Sequence, residues 1–278
     1  KRRAHAVVVD HLVPPMQRAE SYDELADLEA LMDEYARLEI LDPSKLPGLG
    51  AQIWEAIEQA NLQEDLGIED RPEDAGALVE HLDGYLCEVK DVQIKDGLHI
   101  LGGAPQGPQL RGLVAAIGRH GVGSVPGIRR AIAAAFGLDE PTLVEAPGVK
   151  AVGGERLLAR FSGTGYRASD LIDRLEEAQT ALLVALSEHD WAPERVQEVS
   201  DAVLGFHDEG VIDALRFACV EIVPRLQKTT DELDNVLGAL RGHHVPSGPS
   251  GAPTRGRLDV LPTGRNFYTV DPRALPSE

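Results

Sequence analysis

Long stretches of this chain carry apolar residues at three- and four-residue spacing, and this pattern constrains the fold more than any other feature of the sequence. The clearest example is a stripe made of Leu171, Leu175, Ala178, Leu182 and Leu186. Such spacing places side chains on one face of an α-helix. We therefore predict a mainly α fold, a multi-helix array with short extended segments and a long Gly/Pro-rich C-terminal loop.

Four consecutive segments follow from where the helical spacing is kept and where it stops. Residues 1–93 are predicted to form a helical subdomain, and residues 94–166 a mixed helix and loop connection. Residues 167–242 are predicted to form a second helical subdomain. Residues 243–278 are predicted to be a Gly/Pro-rich loop that leads into the next part of a longer parent chain, of which this sequence is an internal piece.

Proline and glycine positions predict local breaks within these segments. Pro14 is predicted to end a helix over residues 4–12, because proline cannot continue a helix. Pro224 is predicted to kink a last helix over residues 211–240 for the same reason. Residues 140–155 are rich in Pro and Gly and are predicted to be irregular.

Composition excludes several classes of protein. The net charge of −19 argues against non-specific binding of nucleic acid. The acidic residues are concentrated in the predicted helical segments, whereas the middle and the tail are slightly basic. No apolar run approaches the roughly 20 residues that span a bilayer. Two cysteines, Cys87 and Cys219, lie far apart, which argues against a disulfide framework and favours a cytoplasmic protein.

Motifs for common enzyme chemistries are missing from the sequence. There is no phosphate-binding loop with Gly-Lys-Ser/Thr, so the chain is not expected to hydrolyse ATP itself. No Gly-x-Ser-x-Gly elbow and no zinc-site spacing of His and Cys occur, so we predict no metal site. The acidic pair Glu232 and Asp234 is predicted to lie on a solvated helix face.

The C-terminal loop is the best candidate for a binding element. It intersperses Gly and Pro between Arg255 and Arg265, and Asn266 and Tyr268 follow directly. Glycine permits close backbone approach and proline stiffens the path, so such a loop can be held in one shape. Upstream, His99 lies on a predicted extended segment beside two glycines. A neutral imidazole there could shuttle protons or bind metal, although a histidine satisfied by a hydrogen bond is the more common case.

Four stretches together resemble one known family from the first residue to the last. They are Lys-Arg-Arg-Ala-His-Ala at 1–6, Asp-His-Leu-Val-Pro-Pro at 10–15, Glu-Val-Lys-Asp-Val-Gln-Ile-Lys-Asp-Gly-Leu-His-Ile-Leu-Gly at 88–102, and Leu-Pro-Thr-Gly-Arg-Asn-Phe-Tyr-Thr-Val-Asp-Pro-Arg-Ala-Leu-Pro at 261–276. The chain resembles the cobaltochelatase large subunits, CobN, and the related H subunits of magnesium chelatase.

The resemblance implies an enzyme that forms nitrogen–metal bonds in cobalamin biosynthesis. Its substrates would be Co(II) and the tetrapyrrole hydrogenobyrinic acid a,c-diamide, held by the large subunit. An AAA+ ATPase subunit and its companion subunit would use ATP and Mg(II), which this chain would not bind. The family's His-Gly…Glu-(Trp/Phe)-(Leu/Met)-Pro-Gly-Lys motif is expected upstream of residue 1, so the piece alone is expected to be inactive.

No catalytic residue can be assigned from the resemblance. The residues that we expect to bind the tetrapyrrole are His99, Arg255, Arg265, Asn266 and Tyr268, and the arginines are expected to pair with its carboxylates. Two alternatives remain open. One is an H-type subunit that inserts Mg(II) into protoporphyrin IX, and the other is a non-catalytic helical module that docks the AAA+ partner subunits.

Overall fold

A computed structural model describes residues 7–14, 16–18, 24–68, 70–72, 74–91, 93–95, 97–162, 167–249 and 251–268. Helices account for most of this part of the chain, and the few strands are short, which confirms the predicted mainly α fold.

The helices range from 4 to 21 residues in length, and the longest carries the apolar stripe that begins at Leu171. In chain order they are α1 (Glu24–Leu41), α2 (Leu46–Gln59), α3 (Gln63–Leu66), α4 (Ala75–Asp91), α5 (Gly107–Gly118), α6 (Ile128–Ala135), α7 (Glu140–Glu145), α8 (Glu155–Arg160), α9 (Ala168–Glu188), α10 (Val196–Leu204), α11 (Glu209–Phe217), α12 (Val223–Gln227) and α13 (Asp231–Leu240).

Short strands form two small sheets. Strand β1 (Met16–Arg18) pairs with β2 (Gln93–Lys95), and β3 (Ser247–Pro249) pairs in parallel with β4 (Asn266–Tyr268). In the second sheet Ser247 lies opposite Asn266. This sheet fixes the two ends of the C-terminal loop against each other.

The chain divides into two compact units. The first unit comprises Lys1–Gln17, Ile94–Ala131 and Gln179–Glu278, and the second comprises Arg18–Gln93 and Ile132–Ala178. The four sequence segments predicted above stay a prediction, because they divide the chain by its local pattern and not by spatial contacts.

The second unit has a core of side chains from α1, α2, α3 and α4. Leu28, Ile53, Ile57 and Leu82 are fully buried in it. Burying a large apolar side chain stabilises a fold by about 1.5–3 kcal/mol. The apolar spacing in these helices is therefore explained by packing inside the unit.

Polar side chains are also buried in the second unit, and one of them is a carboxyl group. Asp83 Oδ2 accepts a hydrogen bond of 2.7 Å from Ser169 Oγ. Burial raises the pKa of Asp83 to about 6, although this hydrogen bond and the charge of Arg167 act in the opposite direction. Burying the charged form of Asp83 therefore costs folding free energy at neutral pH.

The core of the first unit is formed mainly by α5, the C-terminal half of α9, and α10 to α12. Leu113, Leu182, Leu186, Val211 and Leu215 are fully buried or nearly so. These helices support the N-terminal segment and the C-terminal loop, which carry the candidate site described below.

Residues 7–12 are not helical, so the predicted helix over residues 4–12 is wrong within its described part; residues 4–6 lie outside that part. Val9 instead forms an antiparallel bridge with Asn266, and Asp10 N donates to Arg265 O over 2.9 Å. Pairing with the C-terminal loop satisfies the backbone groups that a helix would otherwise satisfy.

Two further local predictions need correction. Residues 140–145 form α7, because Asp139 Oδ2 accepts the Thr142 amide hydrogen bond and Pro141 occupies the first turn, where proline is tolerated. The predicted single helix over residues 211–240 is divided, with a π-helical turn at Ala218–Ile222 immediately before α12. Pro224 lacks the amide hydrogen that would continue regular α-helical bonding at this point.

Candidate functional site

A cleft of about 370 Å³ opens on the first unit between its N-terminal segment and its C-terminal loop. Apolar side chains form most of the wall, and Asp10, His11 and Thr263 contribute polar groups. A mainly apolar wall with a few polar groups is typical of sites for organic ligands. The other lining residues are Val8, Val9, Val13, Gly251, Pro253, Val260 and Phe267.

Backbone pairing holds the two sides of this wall together. Phe267 N donates to Val8 O over 3.0 Å, and Gly264 N donates to Asp10 O over 3.2 Å. The side chain of Asp10 adds a further bond, because its Oδ1 accepts from Arg265 N over 2.6 Å. The cleft therefore has a fixed backbone frame built from both ends of the chain.

The carboxyl group of Asp10 lies partly buried at this wall. Burial raises the pKa of Asp10, while the hydrogen bond from Arg265 N and the nearby positive charge of Arg265 act to lower it. Loss of solvation outweighs these stabilising contacts, so the charged carboxylate is held at some cost. Its negative charge also lies close enough to Glu232 for the two carboxylates to repel each other.

Glu232, in the first turn of α13, is the most heavily bonded side chain near the cleft. Its carboxylate is fully buried and receives four hydrogen bonds. Oε1 accepts from Leu12 N and from Thr263 Oγ1, each over 2.6 Å. Oε2 accepts from Gly102 N over 3.0 Å and lies 2.6 Å from His99 Nε2. One side chain thus joins the N-terminal segment, the loop around residue 100 and the C-terminal loop.

Two glycines allow these loops to approach the start of α13. Gly264 has φ +87°, and a β-carbon on it would lie 2.7 Å from Glu232 N. Gly102 has φ +73°, and a β-carbon there would lie 2.7 Å from the β-carbon of Leu233. Only glycine fits both the backbone angle and the space. The hydrogen bonds to Glu232 from Thr263 and Gly102 depend on this close passage.

A pair of histidines lies beside Glu232. The rings of His11 and His99 are stacked, with centroids 5.6 Å apart and planes at 8° to each other. The side chain of His99 is 7% exposed, whereas His11 is exposed and lines the cleft. His11 Nδ1 lies 2.9 Å from Leu12 O. The buried carboxylate and the cleft are therefore connected through two imidazole rings.

The structure places the sequence-predicted binding residues in different surroundings. His99 lies in a segment without regular structure and contacts Glu232. Arg265 packs its guanidinium against Gly248, and its Nη2 donates to Asp259 O over 2.9 Å. Asn266 Oδ1 accepts from Val8 N over 3.2 Å.

The other two predicted binding residues are described less completely. Arg255 is exposed and lies two residues after Pro253, which lines the cleft. The backbone of Tyr268 belongs to β4, and its side chain lies outside the described part.

Sequence reasoning missed several residues of this site. The prediction that Glu232 lies on a solvated face is wrong, because its carboxylate is fully buried; Asp234 is exposed as predicted. Asp10 and His11 belong to a motif that carried the family resemblance, and that motif was the available signal for them. Thr263 likewise lies in the final motif, whereas nothing in the sequence around Glu232 marks it as buried.

The described part of the chain contains neither a candidate metal-ion cluster nor a candidate membrane-spanning helix. No group of three or more His, Cys, Asp or Glu side chains there is arranged to hold a metal ion. Among the same residues, no helix combines the length and the apolar character needed to cross a membrane.

Comparison with known proteins gives close matches over the whole chain. This chain is 39% identical to the aerobic cobaltochelatase subunit CobN of Sinorhizobium sp and 38% identical to that of Pseudomonas aeruginosa, and 100% of it is covered in each case. It is 26% identical to the magnesium-chelatase H subunit of Chlorobaculum parvum. The matched regions make up 22%, 22% and 21% of these relatives. The chain thus spans about a fifth of their length.

A solved structure agrees with these matches. The catalytic subunit of cobaltochelatase from Mycobacterium tuberculosis is similar with a TM-score of 0.81 and 43% identity, over 99% of this chain and 21% of that chain. The family model described as CobN/Magnesium Chelatase matches residues 1–278. This chain therefore belongs to the CobN/magnesium chelatase family.

Proposed function

We propose that this chain is a section of the large, tetrapyrrole-binding subunit of an ATP-dependent cobaltochelatase. The reaction is insertion of Co(II) into hydrogenobyrinic acid a,c-diamide during cobalamin biosynthesis. One observation carries the proposal: identity to cobaltochelatase subunits is 38–43% over essentially the whole chain, against 26% to a magnesium-chelatase H subunit. The piece alone is expected to be inactive, because the chain covers about a fifth of those relatives.

Within that subunit, we assign the cleft on the first unit to one edge of the macrocycle. Its valines and Phe267 offer an apolar surface to the ring, and a site of about 370 Å³ accommodates part of a large flat ligand. Arg255 is exposed and follows Pro253 of the cleft wall by two residues, and it is the cation that we expect to pair with a carboxylate of the ligand.

The remaining candidates receive different roles in this proposal. Arg265 and Asn266 hold the wall, because their described bonds go to Asp259, Asp10 and Val8. His99 acts from behind the wall through its contacts with Glu232 and His11. Tyr268 is retained as a ligand contact on the basis of its place in the final motif.

Energy for insertion is assigned to other subunits. The sequence contains no phosphate-binding loop, which supports placing ATP and Mg(II) on an AAA+ subunit and its companion. We propose that the complex works in the cytoplasm, where reduced cysteines such as Cys87 and Cys219 are usual.

A pair of matched valine variants tests the assignment of the cleft. Val8 lines the cleft and is 50% exposed, while Val220 lies elsewhere on the first unit and is 49% exposed. In the full-length subunit, Val8→Glu is expected to weaken binding of hydrogenobyrinic acid a,c-diamide at least tenfold, or about 1.4 kcal/mol, since it sets a carboxylate against an anionic, apolar ligand. Val220→Glu is expected to leave the dissociation constant unchanged. Equal affinities of the two variants would remove the cleft from the binding site.

The same titrations separate the alternatives. A magnesium-chelatase H-type subunit would bind protoporphyrin IX and support insertion of Mg(II) and not of Co(II). A helical docking module would capture the AAA+ partner subunits, and both valine variants would leave macrocycle binding intact. Tight binding of the corrin precursor with Co(II)-dependent turnover supports the cobaltochelatase proposal against both.

A further inference from the structure

The hydrogen bonds around Glu232 determine where His99 carries its proton. Leu12 N and Gly102 N are backbone amides and can only donate, so both carboxylate oxygens are engaged as acceptors. Thr263 Oγ1 donates to the same group. A carboxylate enclosed by such donors is best satisfied in its ionised form, which only accepts. His99 Nε2, 2.6 Å from Oε2, is therefore the nitrogen that bears hydrogen.

The same reasoning fixes the tautomer of His11. Its Nδ1 lies 2.9 Å from Leu12 O, and a carbonyl oxygen can only accept. His11 Nδ1 must therefore carry hydrogen, which leaves the lone pair of the neutral ring on Nε2. No other described residue forms a hydrogen bond with His11 Nε2. Since His11 lines the cleft and is exposed, this lone pair is available to a ligand.

Of the two rings, His11 is the one able to meet a ligand directly. His99 is 7% exposed and its Nε2 is engaged by Glu232. It stacks against His11 with nearly parallel planes, which restrains the His11 ring from behind.

We propose that His11 Nε2 accepts the inner N–H proton of the corrin precursor during metal insertion, and that Glu232 is a positioning residue acting through His99. This inference rests on the proposed function. In this transfer the N–H bond breaks, its electron pair stays on the ring nitrogen and becomes the donor pair of an N–Co bond, and the proton moves to Nε2, while the other ring nitrogens donate the lone pairs that they already carry. His11 then releases the proton to solvent. Cobalt stays Co(II), and no oxidant or reductant is needed.

Asp10 is the competing base at the cleft, since its carboxyl group also lines the wall. Its Oδ1 already accepts the Arg265 amide over 2.6 Å, and its backbone is paired on both sides with Gly264 and Arg265. This places Asp10 in the frame of the wall. In our proposal it holds the cleft in shape and does not accept the proton.

A substitution that keeps one nitrogen function and removes the other tests the proposal in the full-length subunit with its partner subunits. His11→Asn retains an amide donor near the position of Nδ1, for Leu12 O, and lacks any group at Nε2. With Co(II), ATP and the corrin precursor at saturation, we expect the single-turnover insertion rate to fall by about 10²–10⁴-fold. The dissociation constant of the precursor is expected to stay within about twofold, since a proton acceptor contributes to the rate more than to binding.

Chemical rescue and a matched control complete the experiment. Added imidazole should raise the insertion rate of His11→Ala in proportion to its concentration, which a merely structural role of His11 would not produce. His189→Asn, at an exposed position near the end of α9, should keep the wild-type rate. The proposal is overturned if His11→Asn inserts cobalt at the wild-type rate, if imidazole gives no rescue, or if Asp10→Asn alone abolishes insertion. A wild-type subunit that binds no precursor would instead refute the proposed function.

Discussion

Gly264 crosses the first turn of α13 so closely that a β-carbon on it would lie 2.7 Å from the amide nitrogen of Glu232. This closeness is what allows the neighbouring Thr263 hydroxyl to reach the Glu232 carboxylate at 2.6 Å. The hydrogen bond from Thr263 to the buried Glu232 carboxylate therefore depends on glycine at position 264.

Gly264→Ala is accordingly expected to loosen the candidate site. The substitution combines a positive φ of +87° with a contact against backbone atoms that cannot rotate away, and we expect a cost of about 3 kcal/mol in local stability. The loss of local stability should appear as faster hydrogen exchange of the Leu12 and Gly102 amides, measured by mass spectrometry in the full-length subunit.

Gly242 supplies the control for that substitution. It has a similar φ of +78° in the same unit, yet no atom lies within 4 Å of its would-be β-carbon. Gly242→Ala is expected to cost only about 1 kcal/mol, from backbone strain alone. Equal effects of the two alanines would show that the close passage of Gly264 contributes nothing.

Removal of the Glu232 carboxylate should lower the stability of the first unit substantially, because Glu232 is the buried residue of α13, whose other residues are exposed or half-buried. Glu232→Ala leaves the amides of Leu12 and Gly102 and the Thr263 hydroxyl without their buried partner, and each such loss costs about 1–3 kcal/mol. We expect a total loss of stability of at least about 3 kcal/mol, measured as faster hydrogen exchange of the Leu12 and Gly102 amides.

Asp234, on the same helix as Glu232, provides a control that separates the effect of burial on stability from the effect of charge. Asp234 is exposed, so Asp234→Ala is expected to change stability by less than about 0.5 kcal/mol. Glu232→Gln should lie between the two alanine variants, because one oxygen is kept while the new amide faces donors. If Glu232→Ala were as mild as Asp234→Ala, the four-bond description of the carboxylate would be untenable.

Local pattern was sufficient to predict the longest helix and its buried face. Leu171, Leu175, Leu182 and Leu186 are all fully buried, as their spacing indicates. Every residue that defines this pattern lies within one helix, so the information is local. The C-terminal loop was predicted from equally local information, since Gly and Pro act on the backbone where they stand, and its bounds stay a prediction.

The chemistry of the site depends on partners that are distant in sequence. Glu232 binds Leu12, which is 220 residues away, and Gly102, which is 130 residues away. Its own neighbours resemble those of any solvated helix turn, and this is why the sequence predicted an exposed carboxylate. The extended conformation of residues 7–12 was missed for the same reason, because it depends on pairing with Arg265 and Asn266.

Stability of the second unit should depend on pH through Asp83. The folded-state pKa of about 6 lies above the ordinary value of 3.8, so the folded state favours the protonated acid. The favourable contribution of Asp83 is therefore fully present below about pH 4 and is lost as the pH rises through about 6. Asp83→Asn is expected to raise stability at pH 7 by up to about 3 kcal/mol and to change little at pH 3.5. Hydrogen exchange of α4 at the two pH values checks both the sign and the size. An asparagine that destabilises α4 at pH 7 would contradict the argument.

Thr263 offers a last, finer test, because two substitutions separate its hydroxyl from its shape. Thr263→Ser keeps the donor to Glu232 Oε1, whereas Thr263→Val keeps the volume and removes the donor. The bond is to a buried, charged acceptor, and such bonds contribute about 1.5–3 kcal/mol. We therefore expect valine to weaken protection of the Leu12 amide, which shares Oε1, by about that amount, while serine costs less than about 1 kcal/mol. The reverse order would mean that the methyl group packing at the cleft wall, and not the hydroxyl, fixes the loop on α13.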